Sequence, residues 1–107
     1  NRGDTKYLCR DYRGAISDYS KAIELNPKDA GAYNNRGLAK KKLQDYRGAI
    51  SDYSKAIELD PKDASAYYNR GLSKIRLGQK DSGCLDFSKA GELGLDRAND
   101  MIRKYCN

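Results

Sequence analysis

The fold is decided by the stretch Asp45-Tyr46-Arg47-Gly48-Ala49-Ile50-Ser51-Asp52-Tyr53-Ser54-Lys55-Ala56-Ile57-Glu58-Leu59. It repeats, letter for letter, Asp11 to Leu25. The offset is 45 − 11 = 34, and it continues through Asn26-Pro27-Lys28-Asp29 and Asp60-Pro61-Lys62-Asp63. Internal repetition of this length is the signature of an array of supersecondary units, and it governs how every other motif is read. Within the copied stretch, Ala49, Ile50, Tyr53, Ala56 and Ile57 fall at i, i+1, i+4, i+7 and i+8, a broad apolar helical face. Pro61 follows closely and stops the helix.

The segment between the copies supplies a second helix. Tyr33, Gly37, Ala39 and Leu43 recur at helical spacing. Asp29 is placed to cap its start, and Lys40, Lys41 and Lys42 sit in its last turn, where cations complement the helix dipole. The pattern predicts helices over 1–9, 12–25, 29–43, 46–59, 63–77, 80–93 and 96–106. Gly37 and Ala49, with their counterparts Gly3/Ala15 and Gly71/Gly83, are small where paired helices should cross.

A period of 34 with an Ala-Ile-x-x-Tyr-x-Lys-Ala-Ile-Glu-Leu-x-Pro core resembles the tetratricopeptide repeat (TPR), a helix–turn–helix unit. The resemblance implies an all-α fold. It would be a right-handed superhelical α-solenoid of three TPR units plus a C-terminal capping helix, with the first helix of each unit on the concave wall. The chain is then one domain over 1–107: a truncated repeat at 1–28, repeats at 29–62 and 63–95, and a cap at 96–107. The first repeat lacks its opening turn because Asn1-Arg2-Gly3 matches Asn35-Arg36-Gly37, which lies well inside its repeat. That predicts a piece of something longer. The third repeat has drifted, and Ala98, Met101, Ile102 and Tyr105 give the last helix an apolar side suited to covering the array's end.

Composition narrows function. The chain carries 21 Lys+Arg against 15 Asp+Glu and no His. Without His, metal sites and His-based catalysis lose their commonest residue, and no cofactor is expected. The acids recur with the repeat, as structural residues do, so an enzyme is not expected. No apolar run of about 18 residues encodes a membrane span, and no secretory leader opens the chain.

Candidate binding residues follow from the resemblance. Asn1, Asn35 and Asn69 share one repeat position, which in TPR proteins faces the groove and holds the backbone of an extended peptide. An amide offers both donor and acceptor, so it can bind a backbone without reading side chains. The flanking groove positions are Asn34, Leu38, Lys41 and Lys42, then Tyr68, Leu72, Ile75 and Arg76, with Asp4 and Tyr7 from the first unit. Tyr68, Leu72 and Ile75 form an expected apolar patch, and Lys41, Lys42 and Arg76 point to an acidic or carboxylate-ended partner. TPR modules that hold chaperone tails use a clamp of two lysines, two asparagines and an arginine. Asn35 matches one clamp asparagine, but Asp4, Ser65 and Asn69 replace three others and the first lysine position precedes Asn1. This departure speaks against a chaperone co-factor.

The expected function is a protein–protein interaction scaffold that binds a peptide or partner segment in its groove. The alternatives are a basic helical-repeat module for nucleic acid, disfavoured because its specificity pairs are absent, and self-association through a bare N-terminal edge. Asp18, Asp52 and Asp86 are expected to form inter-unit ion pairs with Arg36, Arg70 and Lys104 respectively. Cys9 falls where Leu43 and Leu77 lie and reads as packing. Cys84 and Cys106 sit early and late on antiparallel helices, a register that brings them together either as a disulfide or as reduced neighbours. A disulfide would indicate an oxidising compartment such as the periplasm, and reduced thiols the cytoplasm.

Overall fold

The structure is a computed structural model that describes residues 11–106. The helix expected at 1–9, and with it Asn1, Gly3, Asp4, Tyr7 and Cys9, lies outside the described residues. Six helices follow one another: α1 Tyr12–Leu25, α2 Ala30–Lys42, α3 Tyr46–Leu59, α4 Ala64–Arg76, α5 Lys80–Glu92 and α6 Asp96–Tyr105. Each packs on its neighbours in sequence, and α2 also touches α4 across the intervening helix. There is no strand among the described residues. The architecture is an all-α helical-repeat solenoid.

Aspartates set the helix starts. Asp11, Asp29, Asp45 and Asp63 are the N-caps of α1 to α4, and each accepts the backbone N–H three residues on, at 3.0–3.2 Å. That satisfies one otherwise orphaned donor per helix, worth about 1 kcal/mol each. The second helix of the drifted third repeat and the capping helix lose the device, because Gln79 and Leu95 begin α5 and α6 without a side-chain cap bond.

The turns inside the hairpins share one closure. The Asp45 N–H bonds Lys40 C=O and the Gln44 N–H bonds Lys41 C=O, both at 2.9 Å. The same pair of bonds recurs at Gln79 and Gly78, and again at Leu95 and Gly94. This helix ending needs a left-handed residue. Gly78 and Gly94 supply it at φ 82° and 103°, but Gln44 occupies the first such turn at φ 64°.

The core is built from small residues. Ala15, Ala39, Ala49, Ala56, Ala66, Ala90 and Ala98 are fully buried, with Tyr53 and Phe87 as the large fully buried side chains. Those two aromatics occupy the same repeat position, 87 − 53 = 34. Each ring lies against a glycine of the preceding helix. A Cβ at Gly37 would meet Tyr53 Cε1 at 2.8 Å, and one at Gly71 would meet Phe87 Cε1 at 2.9 Å. At the α4–α5 crossing Gly71 and Gly83 face each other so closely that a Cβ on either would stand 3.0 Å from the other's carbonyl oxygen. The expected small–small crossing is therefore present, and close helix approach is its physical purpose.

The ion pairs form, but not where they were expected. Arg36 grips Asp52 with two bonds, Nε to Oδ2 at 2.9 Å and Nη2 to Oδ1 at 2.7 Å. Lys40 Nζ adds a contact at 3.1 Å. The copy is faithful: Arg70 binds Asp86 twice at 2.8 Å, with Lys74 at 3.0 Å. These pairs join the two helices of one hairpin, not neighbouring units. Asp52 is thus Arg36's partner and not Arg70's, and Asp86 is taken by Arg70 and Lys74 and not by Lys104. Lys104 lies instead over the Tyr105 ring, 5.3 Å from its centroid. The reason is the turn. Gln44 is 44 − 36 = 8 residues after Arg36 and 52 − 44 = 8 before Asp52, so an antiparallel hairpin sets the two opposite each other. The inter-unit link is the remaining guanidinium nitrogen. Arg36 Nη1 donates to Ser20 Oγ of α1, and Arg70 Nη1 to Ser54 Oγ of α3, each at 3.1 Å.

At the C-terminal end, Cys84 on α5 and Cys106 after α6 are joined, with sulfurs 2.07 Å and Cα atoms 5.9 Å apart. The bond fastens α6 over the last hairpin, whose surface Ala98 fills.

Candidate functional site

The groove lies between α2 and α4, which run in the same direction one repeat apart. Asn35, Leu38 and Lys42 on α2 stand at i, i+3 and i+7. Their counterparts 34 residues later are Asn69, Leu72 and Arg76 on α4. Two parallel tracks therefore run from amide, through leucine, to cation. Seven residues of helix span about 10 Å, the reach of about three extended peptide residues.

At the cationic end an open pocket of about 320 Å³ is lined by Lys41, Lys42, Gln44, Tyr46, Leu72 and Arg76. None of these is acidic. Lys42 and Arg76 are exposed and Lys41 is half-buried. Burial pushes the Lys41 pKa below the ordinary lysine value, and Lys42, Arg76 and Arg97 push it further the same way. Removing a charge from water while crowding it with like charge leaves a site short of negative partner. Arg97 is a contribution from α6 that sequence reasoning missed. It lies over the Tyr68 ring, 4.9 Å from the centroid. Its reach over Tyr68 depends on how α6 lies against the last hairpin, which residue spacing does not give.

The asparagines are less open than the pattern suggested. Asn69 is only 7% exposed. Its Oδ1 accepts from Lys41 Nζ at 3.5 Å, and its Nδ2 donates to Ser65 Oγ at 3.4 Å. Both bonds are long, so the amide is engaged by weak partners. Asn35 and Leu38 are half-buried on α2. Asn34 has a buried Oδ1 without a hydrogen-bond partner. Asn1 lies outside the described residues.

The apolar patch does not assemble as expected. Leu72 lines the pocket. Ile75 does not: its Cδ1 and Cγ1 pack toward Gly83 of α5, 3.2 Å from where a Cβ there would stand. The missing side chain at Gly83 opens the space that Ile75 fills. Tyr68 packs beside Phe87, ring centroids 5.9 Å apart, and carries Arg97 on its face. Among the described residues no group of three or more His, Cys, Asp or Glu could hold a metal ion, and no helix is long and apolar enough to cross a membrane.

The 34-residue period, the aspartate-capped hairpins and the parallel first helices coincide with a known family, whose TPR repeat profile matches residues 3–44 and 40–78. The chain belongs to the TPR repeat family. Solved TPR structures superpose on it closely. The first TPR of Spaghetti (RPAP3), bound to the HSP90 peptide SRMEEVD, has a TM-score of 0.94 at 25% identity, covering 98% of this chain and 85% of that one. The second TPR domain of human RPAP3, in complex with the HSP70 peptide SGPTIEEVD, has a TM-score of 0.93 at 29% identity, with coverage of 99% and 90%. The Arabidopsis OM64 TPR domain has a TM-score of 0.88 at 30% identity, with coverage of 95% and 88%. No curated protein matches the chain.

Proposed function

We propose that this TPR chain is a protein-interaction module, not an enzyme, that holds an extended acidic peptide segment along α2 and α4. The observation that carries the reading is the pocket of Lys41, Lys42 and Arg76, with no acid among its described lining residues and with Lys41 bonded to Asn69. Charge selects the ligand's sign, Leu72 offers apolar contact, and the asparagine amides supply backbone partners at a spacing an extended chain can follow. Similar TPR domains holding the acidic peptides SRMEEVD and SGPTIEEVD support the ligand class.

Chaperone tails are not the natural ligand on this reading. Ser65 and Asn69 stand at the positions of the family's clamp lysine and arginine, and they hydrogen-bond each other. The cations sit about two helical turns further along.

The test is an acidic-peptide array probed with the parent and with an Asn35→Ala/Asn69→Ala double variant of matched thermal stability. The parent should retain acidic peptides selectively, and the double variant should lose about tenfold in affinity, the equivalent of one or two hydrogen bonds. Equal affinity in parent and double variant would remove the asparagines from the site. Retention of neutral and acidic peptides alike would remove the charge argument.

A further inference from the structure

We propose that the Cys84–Cys106 disulfide is a reversible thiol-exchange site, which a dithiol reductant reaches in the native fold and which releases the capping helix α6 from the last hairpin when it opens. Both cysteines are half-buried and neither lies in the solenoid's interior. Both line an open cleft of about 510 Å³, walled by Leu85 and Ser88 of α5 and by Ile102 of α6. Leu85 is 72% exposed, so the approach is open to solvent. Access to a sulfur governs the rate of thiol–disulfide exchange, and here the fold leaves a way in.

Without the crosslink, little holds α6 in place. Its 10 residues are too few for a helix to sustain itself in water. Its N-cap, Leu95, makes no side-chain bond, and Ala98 is its one buried residue. Met101 and Ile102 are half-buried. Two further contacts seat it. Asn99 fills the room left by Gly91, where a Cβ would stand 2.6 Å from Oδ1, and Arg97 lies over the Tyr68 ring of α4 at 4.9 Å. The Arg36–Asp52 and Arg70–Asp86 pairs and the four aspartate caps do not pass through α6. In an array stabilised by nearest-neighbour contacts, the end element can therefore detach alone.

The chemistry closes with a dithiol as the reductant. One of its thiolates bonds to one sulfur of the pair, the S–S bond breaks, and the other cysteine leaves as a thiolate. The second thiol of the reductant then displaces the first from the mixed disulfide. Cys84 and Cys106 end as thiols and the reductant as its own disulfide, with two electrons and two protons passed to the protein. An oxidised dithiol runs the sequence backwards. Once freed, α6 takes Arg97 off Tyr68 and Asn99 off Gly91, so the redox state at the end of the array changes the surface that α4 presents at Tyr68.

The experiment treats the full chain, without denaturant, with dithiothreitol and its oxidised form at several ratios. Alkylation mapped to Cys84 and Cys106 follows the thiols, and amide hydrogen exchange follows each helix. Both thiols should appear while α1 to α4 keep their protection. The α6 amides should then exchange about tenfold faster or more, and reoxidation should restore them. Ser88→Trp, which narrows the cleft, should slow reduction about tenfold at an unchanged melting temperature. The Cys84→Ser/Cys106→Ser variant should show rapid α6 exchange that no reductant alters. Reduction that needs denaturant, reduction that leaves α6 exchange unchanged, loss of protection in α1 to α4 together with α6, or a Ser88→Trp rate equal to the parent's would overturn the proposal.

Discussion

Replacing Arg36 with Met should cost more than removing the whole ion pair. Asp52 is 3% exposed and is held by Arg36 through two bonds of 2.9 and 2.7 Å, with Lys40 at 3.1 Å as its other cation. Arg36→Met removes both bonds and the bond to Ser20 at 3.1 Å. Stripping the partner from a buried charge typically costs about 3–5 kcal/mol. Lys40 still offsets part of the charge, which places the expected loss at about 2–3 kcal/mol. Asp52→Leu alone should cost less, about 1–2 kcal/mol, because the Arg36 side chain is 19% exposed and can turn to water. The double variant should return to within about 1 kcal/mol of the parent, since two apolar groups leave nothing unpaired. The Asp52 hydrogen bonds raise the Arg36 pKa above its ordinary value, against the opposing effect of burial. A raised pKa means the arginine's contribution is fully present below the ordinary arginine value, so it does not vary at any working pH. Urea unfolding followed by circular dichroism measures the effect. With a slope of about 1–2 kcal/mol/M, the Arg36→Met midpoint should fall by roughly 1–3 M. The Arg70–Asp86–Lys74–Ser54 copy repeats the geometry and serves as a replicate. A loss under about 0.5 kcal/mol for Arg36→Met, or a double variant as damaged as the sum of the singles, would refute the argument.

Three further substitutions follow from the backbone and the crossings. Gln44→Gly should stabilise by about 1 kcal/mol, because Gln44 holds a left-handed φ of 64° that glycine adopts without a Cβ clash; an unchanged or lower melting temperature would contradict it. Gly71→Ala should destabilise by about 1–3 kcal/mol, since its Cβ meets Phe87 at 2.9 Å and a backbone oxygen at 3.0 Å. Gly31→Ala, whose Cβ has ordinary contact at 3.4 Å, should be neutral or mildly stabilising, and thermal melts compare the two. The Cys84→Ser/Cys106→Ser variant should lose about 3 kcal/mol, the chain-entropy value for a crosslink spanning 22 residues, with faster amide exchange concentrated in α6.

The cap shows how far repeat arithmetic reaches. From Ala98, Met101, Ile102 and Tyr105 alone, a helix with an apolar side was legible, and Ala98 is indeed fully buried. That Arg97 would reach over Tyr68 and join the field around Lys41 was not, because it depends on how α6 lies across α4 and α5. Ile75 failed in the same way. Its helical position fits a groove residue, but the vacancy left by Gly83 drew it inward.

Local and periodic information was written in the chain: the 34-residue offset, the aspartate caps, the small pair at each crossing and the prolines that end two helices. These are matters of backbone preference and spacing, which neighbours in sequence decide. Which cation is consumed by a buried carboxylate and which remains for a ligand was settled only in three dimensions. Lys40, Lys41 and Lys42 are consecutive lysines on one helix. Rotation about the helix axis sends the first to Asp52 and leaves the other two on the groove.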